Sequence, residues 1–435
     1  MAEGSPVARK STISRLALAY RSSRVAQLIS FMGPALMVSI AYMDPGNYGT
    51  DIQGGAAYNY ALIWVVWLAS AMAMLLQYLS GKLGIATGFS LPELMREKLR
   101  KRIYIIPYWL AAEAAAAATD LAEYLGTVIA LNLLFGVPLL YAAIFGALDV
   151  ILILTLTSRR FRVIEQMFLL FVSVISIGYL YELFVTKPDP YAIAAHSFAP
   201  SFPDNGAIII AVGVIGATVM PHALFLHSSL TANKAREATP TTRRKMLQMH
   251  KYENIITLTV AGFVNVAIMV MAAAAFHHGH SNVASISDAY RTILPIFGAA
   301  AGVIFVITLL SSGISSSVVG TLAGQSIFEG LLGKKANPWV RRLITRFVNV
   351  IPTTIAILLG VDPLNLLVYS QVILSLMIPL PMIPLVLLSR NKSLMGEFVN
   401  KKMTTLFAFV FVAVILGFNT YLLITSLVPS AAPSS

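Results

Sequence analysis

Two short stretches of the chain gather residues able to do chemistry. The first, "AYMDPGN", runs from Ala41 to Asn47 and sets an acid and an amide around the helix-breaking pair Pro45–Gly46. The second, "GATVMPH", runs from Gly216 to His222 and sets a thioether and an imidazole around Pro221. Both lie inside long apolar segments. An Asp at the centre of a bilayer costs about 2.5–3.5 kcal/mol on insertion scales, so such a residue is a functional candidate by default. Asp44 offers a carboxylate, Asn47 an amide oxygen and Met220 a thioether. Interrupted backbone near Ala41 and Ala217 offers carbonyls. A mixed oxygen and sulfur set of this kind suits a divalent first-row metal. An amino-acid carboxylate would instead favour the N-terminal end of a half-helix with no acid beside it.

A third stretch, "WLAAEAAAAATDLAEYLG", carries Glu113, Asp120 and Glu123. Two helical turns separate the first pair and one turn the second, so all three fall on roughly one stripe. The alanines between them allow neighbouring helices to come close. Rows of acids and histidines inside a membrane bundle read as proton relays. Arg341, Arg342 and, one turn on, Arg346 are the expected counter-ions. His222 is read as a proton-handling group and His227 joins the same set. Their five-residue spacing is not that of a helical zinc pair, and the Glu of H-E-x-x-H is missing. The run "HHGH", His277 to His280, is expected in an external loop and out of the chemistry.

The elements that must carry these groups are membrane helices. Of 435 residues, 57% are hydrophobic and 11% charged, and mean hydropathy is +0.77. Apolar runs long enough to cross a bilayer recur along the chain, which describes an all-α polytopic membrane protein. Eleven spans are expected, at about 30–56, 60–84, 104–135, 137–157, 163–185, 206–230, 252–276, 298–332, 339–360, 363–389 and 404–428. With no cysteine, disulfides and thiolate metal sites are excluded. The basic N-terminal segment has no short apolar core with a cleavage site, so no signal peptide is expected.

The formal charge of +12 would suggest nucleic acid in a soluble protein, but its placement argues otherwise. Of 31 Lys and Arg, 27 fall in the N-terminal segment or in the loops after even-numbered spans, while the opposite loops hold only Lys187 and Arg291. Basic residues hold cytoplasmic loops inside. The N-terminal segment, 1–29, is therefore expected in the cytoplasm and the C-terminus outside.

Spans 1 and 6 both break near the middle, at "MDPGN" and "VMPH". Irregular backbone at membrane depth is tolerated only where it is buried in protein or lines a cavity. Five spans separate the two breaks, so the segments run in opposite directions, as in an inverted repeat of five helices plus five. The repeats would cover about 30–185 and 206–389, a ten-helix transporter core, with the helix at 404–428 left over. Paired interrupted helices mark the midplane site of a secondary transporter.

In these motifs the chain resembles the Nramp family (MntH in bacteria) of proton-coupled divalent metal transporters. The likeness covers nearly the whole sequence through "GPALMVSIAYMDPGN", "LLQYLSGKLGIATG", "ATDLAEYLG", "GATVMPHALFLHS", "GISSSVVGTLAGQ" and "LLVYSQVILSL". It implies the LeuT-type inverted-repeat fold with helices 1 and 6 unwound. It also implies carriage of Mn²⁺ or Fe²⁺, with Cd²⁺ and similar ions, inward with protons across a plasma membrane. By matching position the resemblance assigns metal binding to Asp44, Asn47, Met220 and the carbonyls of Ala41 and Ala217, with Gln371 joining on occlusion. It routes protons through Asp44, His222, Glu123 and Asp120, with the span 9 arginines behind them. Ala223 and Leu380 depart from the usual family pattern beside the cytoplasmic gate. The alternatives are a carrier of the same fold for Mg²⁺, or for an amino acid or monovalent cation. Met220 counts against the first, and the acid at the break counts against the second. No catalytic constellation is present, so no enzyme activity is expected. Metal and protons are cargo, with no resident cofactor, no nucleic acid and no obligate protein partner. The short tails suggest a prokaryotic source.

Overall fold

Backbone polar groups have no water to turn to in lipid, so each long apolar run must fold as helix. The computed structural model describes residues 33–149, 151, 152, 155, 161–280, 286–361 and 363–427. Among them no strand occurs. The chain opens with α1 (Pro34–Ala41) and α2 (Pro45–Tyr58), the two halves of the first interrupted span. They are followed by α3 (Ile63–Thr87), the short α4 (Leu91–Leu99), α5 (Arg102–Phe135), α6 (Leu139–Gly146) and α7 (Phe161–Thr186). The second half begins with a short α8 (Pro190–Phe198). Then come α9 (Asn205–Val219) and α10 (Pro221–Ala235), the halves of the second interrupted span, and α11 (Pro240–His280). The remainder is α12 (Ile286–Phe297), α13 (Ala299–Leu332), α14 (Pro338–Leu358), α15 (Pro363–Met377), α16 (Pro379–Ser389) and α17 (Lys402–Leu427).

Eight described stretches are long and apolar enough to cross a membrane. The other three expected spans have identifiable reasons for falling short. The first is cut into α1 and α2, of 8 and 14 residues. The fourth, 137–157, lies partly outside the described residues. The ninth, α14, carries Arg341, Arg342 and Arg346, which lower its hydropathy.

α14 states the logic of the bundle most clearly. Arg342, Arg346, Asn349 and Thr353 are buried at intervals of three or four residues. Val340, Leu343, Ile344, Phe347, Val348 and Ile351 are exposed. The usual helix amphipathicity is turned inside out, because lipid takes the apolar face and protein takes the polar one. At the other extreme, α9 and α10 are almost wholly buried, and α2 is buried along most of its length against α9, α11 and α15. The interrupted helices therefore stand at the centre, screened from lipid. One expectation fails here: His277–His280 is the last turn of α11, not a loop. His277 reaches across to α2, its Nδ1 lying 3.0 Å from the carbonyl oxygen of Ala56.

Candidate metal site

Each break is built the same way. A helical carbonyl bonds the N–H four residues on. Pro45 stands four residues after Ala41 and Pro221 four after Ala217, and proline has no N–H to give. The carbonyls of Ala41 and Ala217 are thus freed by the prolines, at the C-terminal ends of α1 and α9. The residue before each proline is the one with a distinctive side chain, Asp44 or Met220. Helix C-termini concentrate negative partial charge, which favours a cation between them.

Asp44 has extended backbone (φ −83°, ψ 165°) and caps α2, with Oδ1 accepting from the Asn47 backbone N–H at 2.9 Å. Its Oδ2 has no hydrogen-bond partner among the described residues. Met220 has φ 25° and ψ 101°, a left-handed conformation that costs an ordinary residue about 1–3 kcal/mol. Such strain persists only where the surroundings impose it, and Met220 is completely buried.

The Asn47 amide ties the two breaks together. Its Nδ2 donates to the Tyr42 carbonyl at 3.2 Å, to Asp44 Oδ1 at 2.8 Å and to the Ala217 carbonyl at 3.4 Å. Its Oδ1 accepts from Thr218 Oγ1 at 3.0 Å. The amide nitrogen therefore lies among three oxygens that face a common point. Gln371 on α15 closes the remaining side. A methyl group on Gly46 would run into both the Gln371 amide and Asp44 Oδ2, so glycine there allows the close approach. Gln371 is buried and its Oε1 has no partner among the described residues. Asp44, Asn47, the Ala217 carbonyl and Gln371 are thus drawn to one buried locus, and Ala41 and Met220 are buried in the same two breaks. No group of three His, Cys, Asp or Glu side chains able to hold a metal occurs among the described residues. The donor set here is one carboxylate with neutral oxygens and a thioether.

The expected proton-handling residues do not form one row. His222, on the first turn of α10, has Nδ1 3.0 Å from Thr119 Oγ1 on α5. Thr119 gives its own hydroxyl proton to the Ala115 carbonyl, so His222 donates and keeps a lone pair on Nε2. The next residue on α5, Asp120, pairs with Arg342, accepts from Asn349 Nδ2 at 2.7 Å and lies 3.8 Å from Arg346. Glu123 is fully buried with both oxygens unpartnered among the described residues, aimed at Gly320 on α13. Glu113 sits apart, paired to Arg341 at 2.5 Å in a partly exposed position. His227 faces the other way, with Nδ1 2.9 Å from Gln77 Oε1 on α3. Sequence reasoning missed four partners: Asp149, which pairs with Arg346 at 2.8 Å, and Asn349, Thr218 and Gln77. Asp149 was findable as an acid within an expected span, and Asn349 because it falls on the same α14 face as Arg342 and Arg346. Nothing in the sequence singles out Thr218 or Gln77.

The fold and the site together define a multi-pass, all-helical membrane protein in which two interrupted helices meet at a buried polar centre. Residues 35–425 match the family model described as natural resistance-associated macrophage protein-like, Nramp. The chain is 47% identical over 395 residues to the divalent metal cation transporter MntH of Granulibacter bethesdensis, spanning 91% of this chain and 88% of that one. It is similar to the crystal structure of the Eremococcus coleocola manganese transporter, with TM-score 0.84, 30% identity and coverage of 92% and 87%. MhsT, at 15% identity and TM-score 0.56 over 92% of this chain and 99% of that one, shares the fold alone. The fold is LeuT-type, and the chain belongs to the Nramp family.

Proposed function

We propose that this protein is a proton-coupled secondary transporter that brings divalent transition metal ions, Mn²⁺ and Fe²⁺ with Cd²⁺ and similar ions, across the plasma membrane. The observation that carries the proposal is the matched pair of breaks. Each proline frees one alanine carbonyl and presents one donor side chain, and both breaks open onto the Asn47 amide. The names of the chain's relatives, a divalent metal cation transporter and a manganese transporter, agree with it.

The ligands are Asp44, Asn47, Met220 and the carbonyls of Ala41 and Ala217, with Gln371 completing the shell when the site is closed. The Asn47 amide turns over on loading. Its oxygen then joins the metal, and its NH₂ meets the Thr218 hydroxyl, which accepts where it previously donated. Amide orientation and hydroxyl rotors adjust to such networks at little cost. Protons leave by Asp44, His222, Glu123 and Asp120 along α5, with Glu113, Arg341 and Arg342 at its margins and His227 on the α3 side of His222. The ten-helix core spans about 30–389, with 404–428 outside the repeat. The N-terminus is cytoplasmic, the C-terminus external and the source prokaryotic. Metal and protons are cargo, with no resident cofactor and no catalysed reaction.

The test is Mn²⁺ uptake into proteoliposomes with Mg²⁺ and amino acids as competitors. Saturable uptake that neither competitor reduces is expected. Inhibition by Mg²⁺ at comparable concentration would reassign the cargo, and inhibition by amino acids would reassign the class.

A further inference from the structure

Below the metal site, on the side where α3 and α10 end and α11 begins, a string of hydrogen bonds joins four elements. Gln77 Nε2 on α3 donates to the Tyr42 hydroxyl at 2.7 Å, in the turn between α1 and α2. Its Oε1 can therefore only accept, and the partner is His227 Nδ1 on α10 at 2.9 Å. His227 meets His250 of α11 edge to face, with ring centroids 4.9 Å apart. His250 Nε2 faces the Tyr78 carbonyl at 3.2 Å, and its ring stacks on the Tyr78 ring at 5.7 Å. Both rings crowd Gly81 of α3, where a side chain would strike them.

These contacts fix the protonation state. His227 carries its proton on Nδ1 and His250 on Nε2. The opposite nitrogens, His227 Nε2 and His250 Nδ1, are bare and unpartnered among the described residues. His227 is 0% exposed and His250 4%. Two neutral imidazoles, each able to take one proton, are thus sealed side by side. Among the described residues no carboxylate lies within salt-bridge range of either ring. The charged and titratable groups around them are already engaged or out of reach. Glu253, one turn along α11, holds the N–H groups of Gly33, Ala35 and Leu36 at the start of α1. Lys82 donates to Asn400 and lies over the Tyr78 ring. Lys234 shares with His250 and Glu253 the wall of a crevice of about 20 Å³ that also touches Ile85, Met246 and Pro34.

We propose that His250 is a further working residue of transport, which with His227 forms a latch closing the inner face of the site and opened by a proton. The argument is linkage. An imidazolium buried without a counter-ion is costly, and it regains its hydration only if the crevice widens and water reaches the rings. The proton therefore binds the open arrangement more tightly than the closed one, and it shifts the population toward opening. Gln77 carries the movement to Tyr42, directly beneath the Asn47 amide. The inference rests on the proposed function for the transport role of the latch and for calling this face the cytoplasmic one.

The chain has no cysteine, so a reporter placed at Ile85, on the crevice wall, is unambiguous. In detergent-solubilised full-length Ile85→Cys, labelling by a charged thiol reagent is compared between pH 7.5 and 5.5. Normalisation to exposed Ser393→Cys removes the pH dependence of the thiol itself. The normalised rate should rise several-fold on acidification, toward about tenfold if the two states differ by one unit in proton affinity. In Ile85→Cys/His250→Gln, where Gln keeps a donor for the Tyr78 carbonyl, the ratio should be flat. A purely structural role for His250 would change labelling equally at both pH values. A flat ratio in the parent, or an equal rise in the His250→Gln background, overturns the proposal. The assay needs neither metal nor transport, so failed Mn²⁺ uptake with a pH-dependent ratio would overturn the proposed function alone.

Discussion

At the scale of single residues, Asp44 carries the one formal charge among the proposed ligands. Asn47, Met220, Gln371 and the alanine carbonyls are neutral donors, and none can replace it. Asp44→Asn keeps the shape and the cap on α2, yet it should abolish Mn²⁺ uptake while the protein still inserts and purifies as a folded species. Near-normal uptake by the mutant would remove Asp44 from the ligand set. In the proposed site Met220 would answer a different demand, the rejection of abundant hard cations. Carboxylate, amide and carbonyl oxygens alone would hold Mg²⁺ or Ca²⁺ readily. A thioether interacts with softer transition metals and hardly at all with hard ions. The Met220 backbone is held at φ 25°, a costly conformation for a non-glycine residue and one that recurs at functional sites. Met220→Ala should weaken Mn²⁺ by about 1–2 kcal/mol, about five- to thirty-fold in affinity. It should cost Cd²⁺ more and let Ca²⁺ compete. Competition uptake that leaves Ca²⁺ inert and Cd²⁺ unaffected would return Met220 to core packing. These residues were legible because proline, acid and thioether are conspicuous in an apolar run. The orientation of the Asn47 amide and the part of Thr218 were not, because both depend on which helix lies opposite.

At the scale of elements, α5 and α14 with Asp149 bring four acids and three arginines together. Arg341 pairs with Glu113, Arg342 with Asp120 and Arg346 with Asp149, which leaves Glu123 without a cation in salt-bridge range among the described residues. An ionised, unpaired carboxylate inside a membrane bundle is costly, so Glu123 is the member that holds a proton in this arrangement. Glu123→Gln imitates that protonated form. It should leave thermal stability in detergent within a few degrees of the parent and abolish metal-driven proton flux. Asp120→Ala is the contrasting case, since it strands Arg342 in the core and should cost about 3–5 kcal/mol. Adding Arg342→Met should restore part of that loss. Proton flux undiminished in Glu123→Gln, or equal melting temperatures for the single and double variants, would contradict this division of roles. That acids recur along α5 and arginines along α14 could be read from the sequence. The pairing could not, because spacing places residues on a face without saying which facing residue each will meet, and Asp149 therefore escaped notice.

At the scale of the whole molecule, the site is closed on both sides. Asp44, Asn47, Met220 and Gln371 are all 0% exposed. A carrier must pass through such an occluded arrangement, and charge then governs its energetics. On the proposed ligand set, loading places a divalent ion beside one carboxylate, leaving a net positive charge in a low-dielectric interior. The proposed relay along α5 would relieve the site of its proton but not of the metal's second charge, so inward transport on this scheme carries positive charge across the bilayer. A membrane potential acts on that charge with about 2.3 kcal/mol per elementary charge per 100 mV. Mn²⁺ uptake into proteoliposomes should therefore accelerate when a potassium diffusion potential makes the interior negative, and again when external pH falls from about 7.5 to about 5.5, across the ordinary histidine range. The two drives should separate genetically. Glu123→Gln should lose the response to external acid and the acidification of the interior while still responding to potential, because the metal's own charge crosses regardless. Uptake indifferent to potential in the parent would mean that a compensating anion or counter-transported cation moves with the metal, and the charge accounting drawn from Asp44 as the sole ionised ligand would be wrong.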